Sequence, residues 1–200
     1  MPPITRALIL INIAIFALQV PFGDAFVSYF ALWPLGRFYI QEFQAVLGFE
    51  PWQLVTYAFL HASFTHLGLN MLALYMFGRG VEQALGPKHY LLLYFAAVVS
   101  AAVVQLIAAT LQTTPYPTIG ASGGIFGVLL AYGVLYPHRI VMLLFPPIPM
   151  PAWLLVILFG LVELANGVMG TEAGVAHFAH LGGMLGAYLE LRYWRQTSTY

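Results

Sequence analysis

Six apolar stretches divide the chain, roughly Ile4 to Val20, Phe64 to Gly80, His89 to Leu111, Ala121 to Leu135, Pro151 to Val168 and Val175 to Tyr193. A helix needs about 20 mostly apolar residues to cross a bilayer core, and lipid admits only spanning segments that close their own backbone hydrogen bonds. The pattern therefore predicts six transmembrane helices. The first stretch has the outline of a signal peptide, since Arg6 precedes its apolar core. No small-residue cleavage site follows it and further spans do, so an uncleaved anchor is expected.

Where the second stretch begins bears on the chemistry. A start at Trp52 would make it over-long before Arg79, whereas Ser63 suits a helix N-cap. A start at Ser63 puts His66 in the first turn and Asn70 in the second, on one face. Both then lie within roughly 5 to 10 Å of that helix end. The preceding connection, 21–63, is long and carries Phe26, Tyr29, Trp33, Phe43 and Trp52 among other aromatics. Aromatic side chains at that density favour the headgroup level, which predicts a structured element lying in the membrane interface.

Composition sets the class. With 61% hydrophobic and 7% charged residues and a mean hydropathy of +0.85, the chain has no ordinary polar surface to offer water, and an all-α polytopic membrane protein of one domain, 1–200, is expected. A formal net charge of zero gives no footprint for nucleic acid. The absence of cysteine removes disulfides and thiolate chemistry. Charge placement predicts orientation: with a cytoplasmic N-terminus, Arg6, Arg79, Lys88, Arg139, Arg192 and Arg195 fall inside and only Arg37 outside. Both termini are then cytoplasmic, and the loops 21–63, 112–120 and 169–174 face outward.

The stretch with most chemistry in it is Gly120-Ala121-Ser122-Gly123-Gly124, which opens the fourth apolar run after a polar, proline-containing turn from Thr113 to Thr118. Its serine hydroxyl would sit beside helix N–H groups that lack partners, at the positive end of the helix dipole, where an acyl-transfer nucleophile gains most. Equally, Ser122 could simply cap the helix. In the sixth run, Gly182 with Gly186 and Gly183 with Ala187 are small pairs four apart, as are Gly123 and Gly127 in the fourth. Such faces let helix backbones approach closely. If they meet, Ser122, His180, His66 and Asn70 converge from three helices at one depth. A buried histidine in a membrane helix points to function, while interhelical hydrogen bonding is the structural alternative for His66 and Asn70. Glu163 and Asn166 are polar groups at membrane depth that should face the protein interior; no role follows for them.

These residues match a family. The chain resembles the rhomboid intramembrane serine proteases over essentially its whole length: their Gly-x-Ser-Gly stands as Gly120-Ala121-Ser122-Gly123, their His-x-x-x-Asn as His66 to Asn70, and their Ala-His-x-x-Gly as Ala179-His180-Leu181-Gly182-Gly183. The resemblance implies a rhomboid-like fold in which Ser122 is the nucleophile and His180 its general base. It implies a dyad without an acidic third member. The residues themselves agree, since no Asp lies in any predicted span and Glu163 reads as too deep. His66, Asn70 and the Ser122 backbone N–H are the implied oxyanion donors, with Gly120, Gly123 and Phe126 in support. His177, one turn before His180, follows Ala176 but has no Gly three residues on, so only His180 carries both flanking residues of the motif. No cofactor or metal is expected.

Two positions depart from the family. Its Trp-Arg pair in the first outer loop is Trp52-Gln53 here, which puts an arginine-dependent stabilisation of that loop in doubt. The aromatic four residues after the nucleophile is Phe126, able to stack on His180 but without a phenol hydroxyl. The chain looks like a minimal six-helix core in a bacterial inner membrane. Implied partners are the bilayer and single-span or polytopic membrane-protein substrates, cut near the outer face after a small residue. Entry is implied between the second and fifth helices, beside Trp153. Two other functions remain open: a non-catalytic relative that binds membrane helices, and a haem or metal protein using His61, His66, His177 and His180.

Overall fold

The computed structural model describes residues 1–111, 115–143, 146–170 and 175–197; parts of the predicted outer loops, 112–114 and 171–174, lie outside them. The chain is mostly helical. Helix α1, Pro3–Phe30, runs past the expected end at Val20, bending at Pro21 and at Gly23, whose backbone is not helical. A short antiparallel hairpin follows, β1 (Arg37–Ile40) paired with β2 (Ala45–Gly48). Then come a single helical turn, α2 (Gln53–Thr56), and a 3-10 turn.

Helix α3, Phe64–Ala73, starts where Ser63 predicts, the Ser63 hydroxyl accepting from the His66 N–H. A π-helical turn, Leu74–Gly78, carries it into α4, Arg79–Ala109. Within α4 the backbone breaks at Gly86, which adopts φ +76° ahead of Pro87. Glycine tolerates that angle and proline cannot continue the ladder behind it. Helices α5 (Ser122–Leu135), α6 (Ala152–Met169) and α7 (His177–Thr197) complete the order, with a small hairpin of β3 (Ile140–Met142) and β4 (Pro149–Pro151) between α5 and α6. Among the described residues three helical runs, Pro3–Phe30, Phe64–Ala109 and Ala152–Met169, are long and apolar enough to cross a membrane, and α5 is a shorter apolar helix.

The core forms where α4, α5 and α7 meet through small residues. Gly183 of α7 lies directly on the Gly123 backbone of α5, and Gly127 meets Gly183 and Ala187 on the same seam. On its other side Gly127 touches Ala97 of α4, and Gly182 and Gly186 of α7 sit on the α4 backbone at Ser100 and Ala96. Lipid offers no hydrophobic force to drive helices together, so close backbone approach is what such packing relies on. Helices α1 and α6 flank this centre with exposed apolar faces, Leu10, Ile13 and Leu18 on one, Ile157, Leu161 and Val162 on the other.

Polar clamps bind the periphery to the core. Glu82, buried in α4, accepts from Ile4 N (2.8 Å), Thr5 N (2.7 Å) and Thr5 Oγ1 (2.7 Å), satisfying the otherwise unpartnered first turn of α1. Gln19 of α1 brackets the His61 backbone with two bonds, of 2.9 and 3.0 Å. In the 31–63 segment, Gln53 is buried and its Oε1 accepts from Trp33 N and Glu50 N. An uncharged amide thus ties together the loop that the missing arginine left in question. Leu32 and Thr118 exchange both backbone hydrogen bonds, which fixes the strand leading to Ser122.

Candidate active site

Three constraints aim the Gly120 segment. Gly120 N donates to Tyr57 O (3.0 Å), the Tyr57 hydroxyl donates to Val98 O on α4 (2.9 Å), and Gly120 takes φ +126°. A Cβ on Gly120 would stand 2.8 to 2.9 Å from the His66 ring, so glycine is needed there for space as well as for backbone angle. Ser122 is then the first residue of α5. The N-cap position belongs to Ala121 and no side chain caps this helix, so the capping reading of Ser122 does not hold.

The Ser122 hydroxyl faces α7. Its Oγ lies 2.8 Å from His180 Nε2, and the His180 ring is stacked on Phe126 at 4.3 Å and 1°. His66 approaches from α3. Its Nδ1 accepts from Ala62 N (3.3 Å), which assigns the ring proton to Nε2, the atom beside Gly120. Asn70 Nδ2 donates to the His66 carbonyl (2.9 Å), one turn back on its own helix. Ser122, His180, His66, Asn70 and Gly120 line one cavity of ≈ 510 Å³ together with apolar groups such as Leu69 and Ile125. The structure thus brings together the residues that sequence and resemblance single out.

It also brings in a carboxylate, against expectation. Glu163 Oε2 of α6 lies 2.7 Å from His177 Nδ1 and 2.9 Å from His180 Nδ1. The first contact is a hydrogen bond; the second is a close electrostatic approach in which the imidazole N–H points off line. Glu163 is not too deep, because depth counts from the end of α6 nearest the site: it stands six residues before Met169, about 9 Å along the axis. Glu163, His177 and His180 have ligand atoms within 4.8 Å of one another, close enough to share a metal ion. Two donors on a tetrahedral zinc stand about 3.3 Å apart, however, and the direct contacts here are shorter, at hydrogen-bond length. His61 and His66 do not join that group, so the four-histidine metal reading finds no common centre among the described residues.

His61 is buried just before α3, its ring edge-on to His66 at 5.0 Å. Neither of its ring nitrogens has a hydrogen-bond partner among the described residues. Burial, with His66 adding to it, pushes its pKa down to about 4. Trp153 is misplaced as a marker of substrate entry near the site. It opens α6 at the far end, its N–H donating to Pro137 O just beyond α5, ten residues or about 15 Å from Glu163.

The model of the rhomboid domain matches residues 48–195. Among curated proteins, the chain is similar to Rhomboid protein 1, mitochondrial, of Saccharomyces cerevisiae, with 32% identity over 90% of this chain and 49% of that protein. It is similar to Rhomboid protease AarA of Providencia stuartii, with 31% identity over 95% of this chain and 72% of that one. To Rhomboid protease GlpG of Klebsiella pneumoniae the identity is 30%, over 65% of this chain and 42% of that protein. The chain therefore spans about half the length of the yeast relative.

Proposed function

The chain belongs to the rhomboid family, and on that premise we propose that it is an intramembrane serine endopeptidase acting on membrane-spanning proteins. Its apolar helices make it an integral membrane protein. We read six crossings: α1, the two arms of Phe64–Ala109 on either side of Gly86, α5, α6 and α7. Supporting this, the 46-residue run would be about 69 Å long if straight, twice the about 30 Å of a bilayer core. The segment 31–63, with Trp52 stacked on Tyr29, lies in the interface on this reading. The lysine and arginine bias supports cytoplasmic termini.

One observation carries the catalytic reading: the Ser122 hydroxyl lies at 2.8 Å from a histidine nitrogen inside a cavity. Ser122 Oγ attacks the scissile carbonyl carbon while its proton passes to His180 Nε2. The carbonyl π pair moves onto oxygen, and the Ser122 N–H, His66 Nε2–H and the Asn70 amide donate to it. Collapse breaks the C–N bond, and His180 returns the proton to the departing amine. Water then repeats the cycle on the acyl-enzyme.

A peptide bond in an intact helix has its carbonyl engaged, so attack requires local unwinding. Cleavage should fall near the end of the substrate span facing the Ser122 end of α5, at residues that weaken a helix, such as Gly or Pro. Entry between the arm containing α3 and α6 agrees with the packing of α6 on α5 and α7. Mass spectrometry of the products from a single-span substrate in liposomes tests this. Cleavage at the outer end beside a helix-weakening residue supports it; cleavage on the cytoplasmic side, or efficient cutting of a uniform Leu-rich span, counts against it.

A further inference from the structure

We infer that Glu163 is a positioning residue for the Ser122–His180 pair, its carboxylate holding His180 in the tautomer with the proton on Nδ1 while His177 anchors that carboxylate. This rests on the reading of Ser122 as nucleophile and His180 as base. To take the Ser122 proton, His180 Nε2 must carry a lone pair, so the single proton of the neutral ring belongs on Nδ1. That atom stands 2.9 Å from Glu163 Oε2. In the other tautomer, a nitrogen lone pair would face the carboxylate lone pairs at the same distance, which is repulsive. The carboxylate therefore selects the reactive tautomer, and Phe126, stacked on the ring, keeps Nε2 turned toward Ser122.

The charge bookkeeping agrees. When the Ser122 proton moves to Nε2 and the Oγ–C bond forms, His180 becomes an imidazolium beside an anion, and no proton needs to reach Glu163. When the C–N bond breaks, the imidazolium gives up the same proton to the amine. An off-line N–H does not prevent this, because the attraction between charges depends on distance before angle, and catalytic hydrogen bonds often align only with substrate bound. Among the described residues, the groups facing His180 are Ser122 from α5, Glu163 from α6, His177 from α7 and His66 from α3, and Glu163 is the only anion of these. Its side chain is 13% exposed, and a carboxylate so far out of water requires partners. His177, donating at 2.7 Å, supplies one whose position on α7 is one turn from His180.

The full chain in detergent, assayed on a single-span substrate, provides the test. Glu163→Gln keeps the shape and removes the charge; Glu163→Asp keeps the charge. The Gln variant should lose roughly 10- to 100-fold in kcat with KM within about twofold, and react with a fluorophosphonate more slowly by the same factor, within the range general-base catalysis commands. The Asp variant should recover much of that loss, while thermal unfolding shows both variants folded. Equal losses in the two variants, a loss confined to KM, or no loss would overturn the inference. Retention of cleavage by Ser122→Ala would instead overturn the nucleophile assignment, and this inference with it.

Discussion

Replacing Gly183 with Ala probes the seam that holds the two reacting helices at their separation. An ideal Cβ at Gly183 would stand 2.7 Å from the Gly123 carbonyl carbon and closer still to its oxygen. Ordinary carbon contacts begin at about 3.5 Å, and the oxygen is nearer than the carbon, so α5 and α7 must part by at least about 1 Å. Ser122 and His180 sit on these two helices, one just before the seam and the other three residues from it. Their 2.8 Å contact would lengthen toward the limit of hydrogen bonding, and a misplacement of about 1 Å typically costs on the order of 100-fold in rate. Overpacking adds about 1 to 3 kcal/mol of destabilisation, offset in part by the about 1 kcal/mol by which Ala favours a helix over Gly. The expected outcome is a modest drop in unfolding temperature with a kcat about 100-fold lower. Gly160→Ala is the control, since its added Cβ meets nothing nearer than Met184 at 3.8 Å. A Gly183→Ala protein that labels and cleaves within about twofold of wild type would refute the link between helix separation and reactivity.

Asn70→Ala should lower kcat by about 10² to 10³ and leave KM within a few-fold, as expected of a donor that acts on the transition state; steady-state kinetics decides, and a change confined to KM would remove Asn70 from that role. Glu82→Ala strips the acceptor from two N–H groups of α1, which should cost at least about 2 kcal/mol in unfolding measurements, with little effect on the labelling rate of the protein that remains folded. His61 makes stability acid-sensitive, because its folded pKa of about 4 lies below the ordinary 6.5. Its contribution is complete above pH about 6.5, declines as the unfolded chain takes up a proton that the folded one refuses, and levels off below about 4, up to about 3 kcal/mol in all. Unfolding midpoints between pH 7 and 4 should fall less in His61→Gln than in wild type; parallel declines would contradict the assignment.

Much of this could be read from the order of residues because α1, the Phe64–Ala109 run and α6 show themselves by length and hydropathy, and because Ser63 and the Gly120 segment mark helix starts locally. The small-residue pairs of α5 and α7 were legible as faces, and the structure seats Gly183 and Ala187 on Gly123 and Gly127, while Gly182 and Gly186 turn to α4 instead. Less legible was anything that depends on which end of a helix lies beside the site. Glu163 looked remote when counted into its span from Pro151, yet it lies a short way from the other end. Trp153 failed for the same reason in reverse. The hairpin β1–β2 left no strong alternation to find, since only two short strands pair on an exposed edge. Gln53 was visible as a departure from a motif, but that an amide can gather two backbone N–H groups in place of a charge required the fold of the loop.

The central claim is that Ser122 is a nucleophile activated by His180. The most direct measurement is fluorophosphonate labelling of the folded full chain, with the adduct located by mass spectrometry in wild type, Ser122→Ala and His180→Ala. A single adduct on Ser122, absent from both variants, is the expected result. An adduct on another residue, or Ser122 labelled at the wild-type rate without His180, would contradict it.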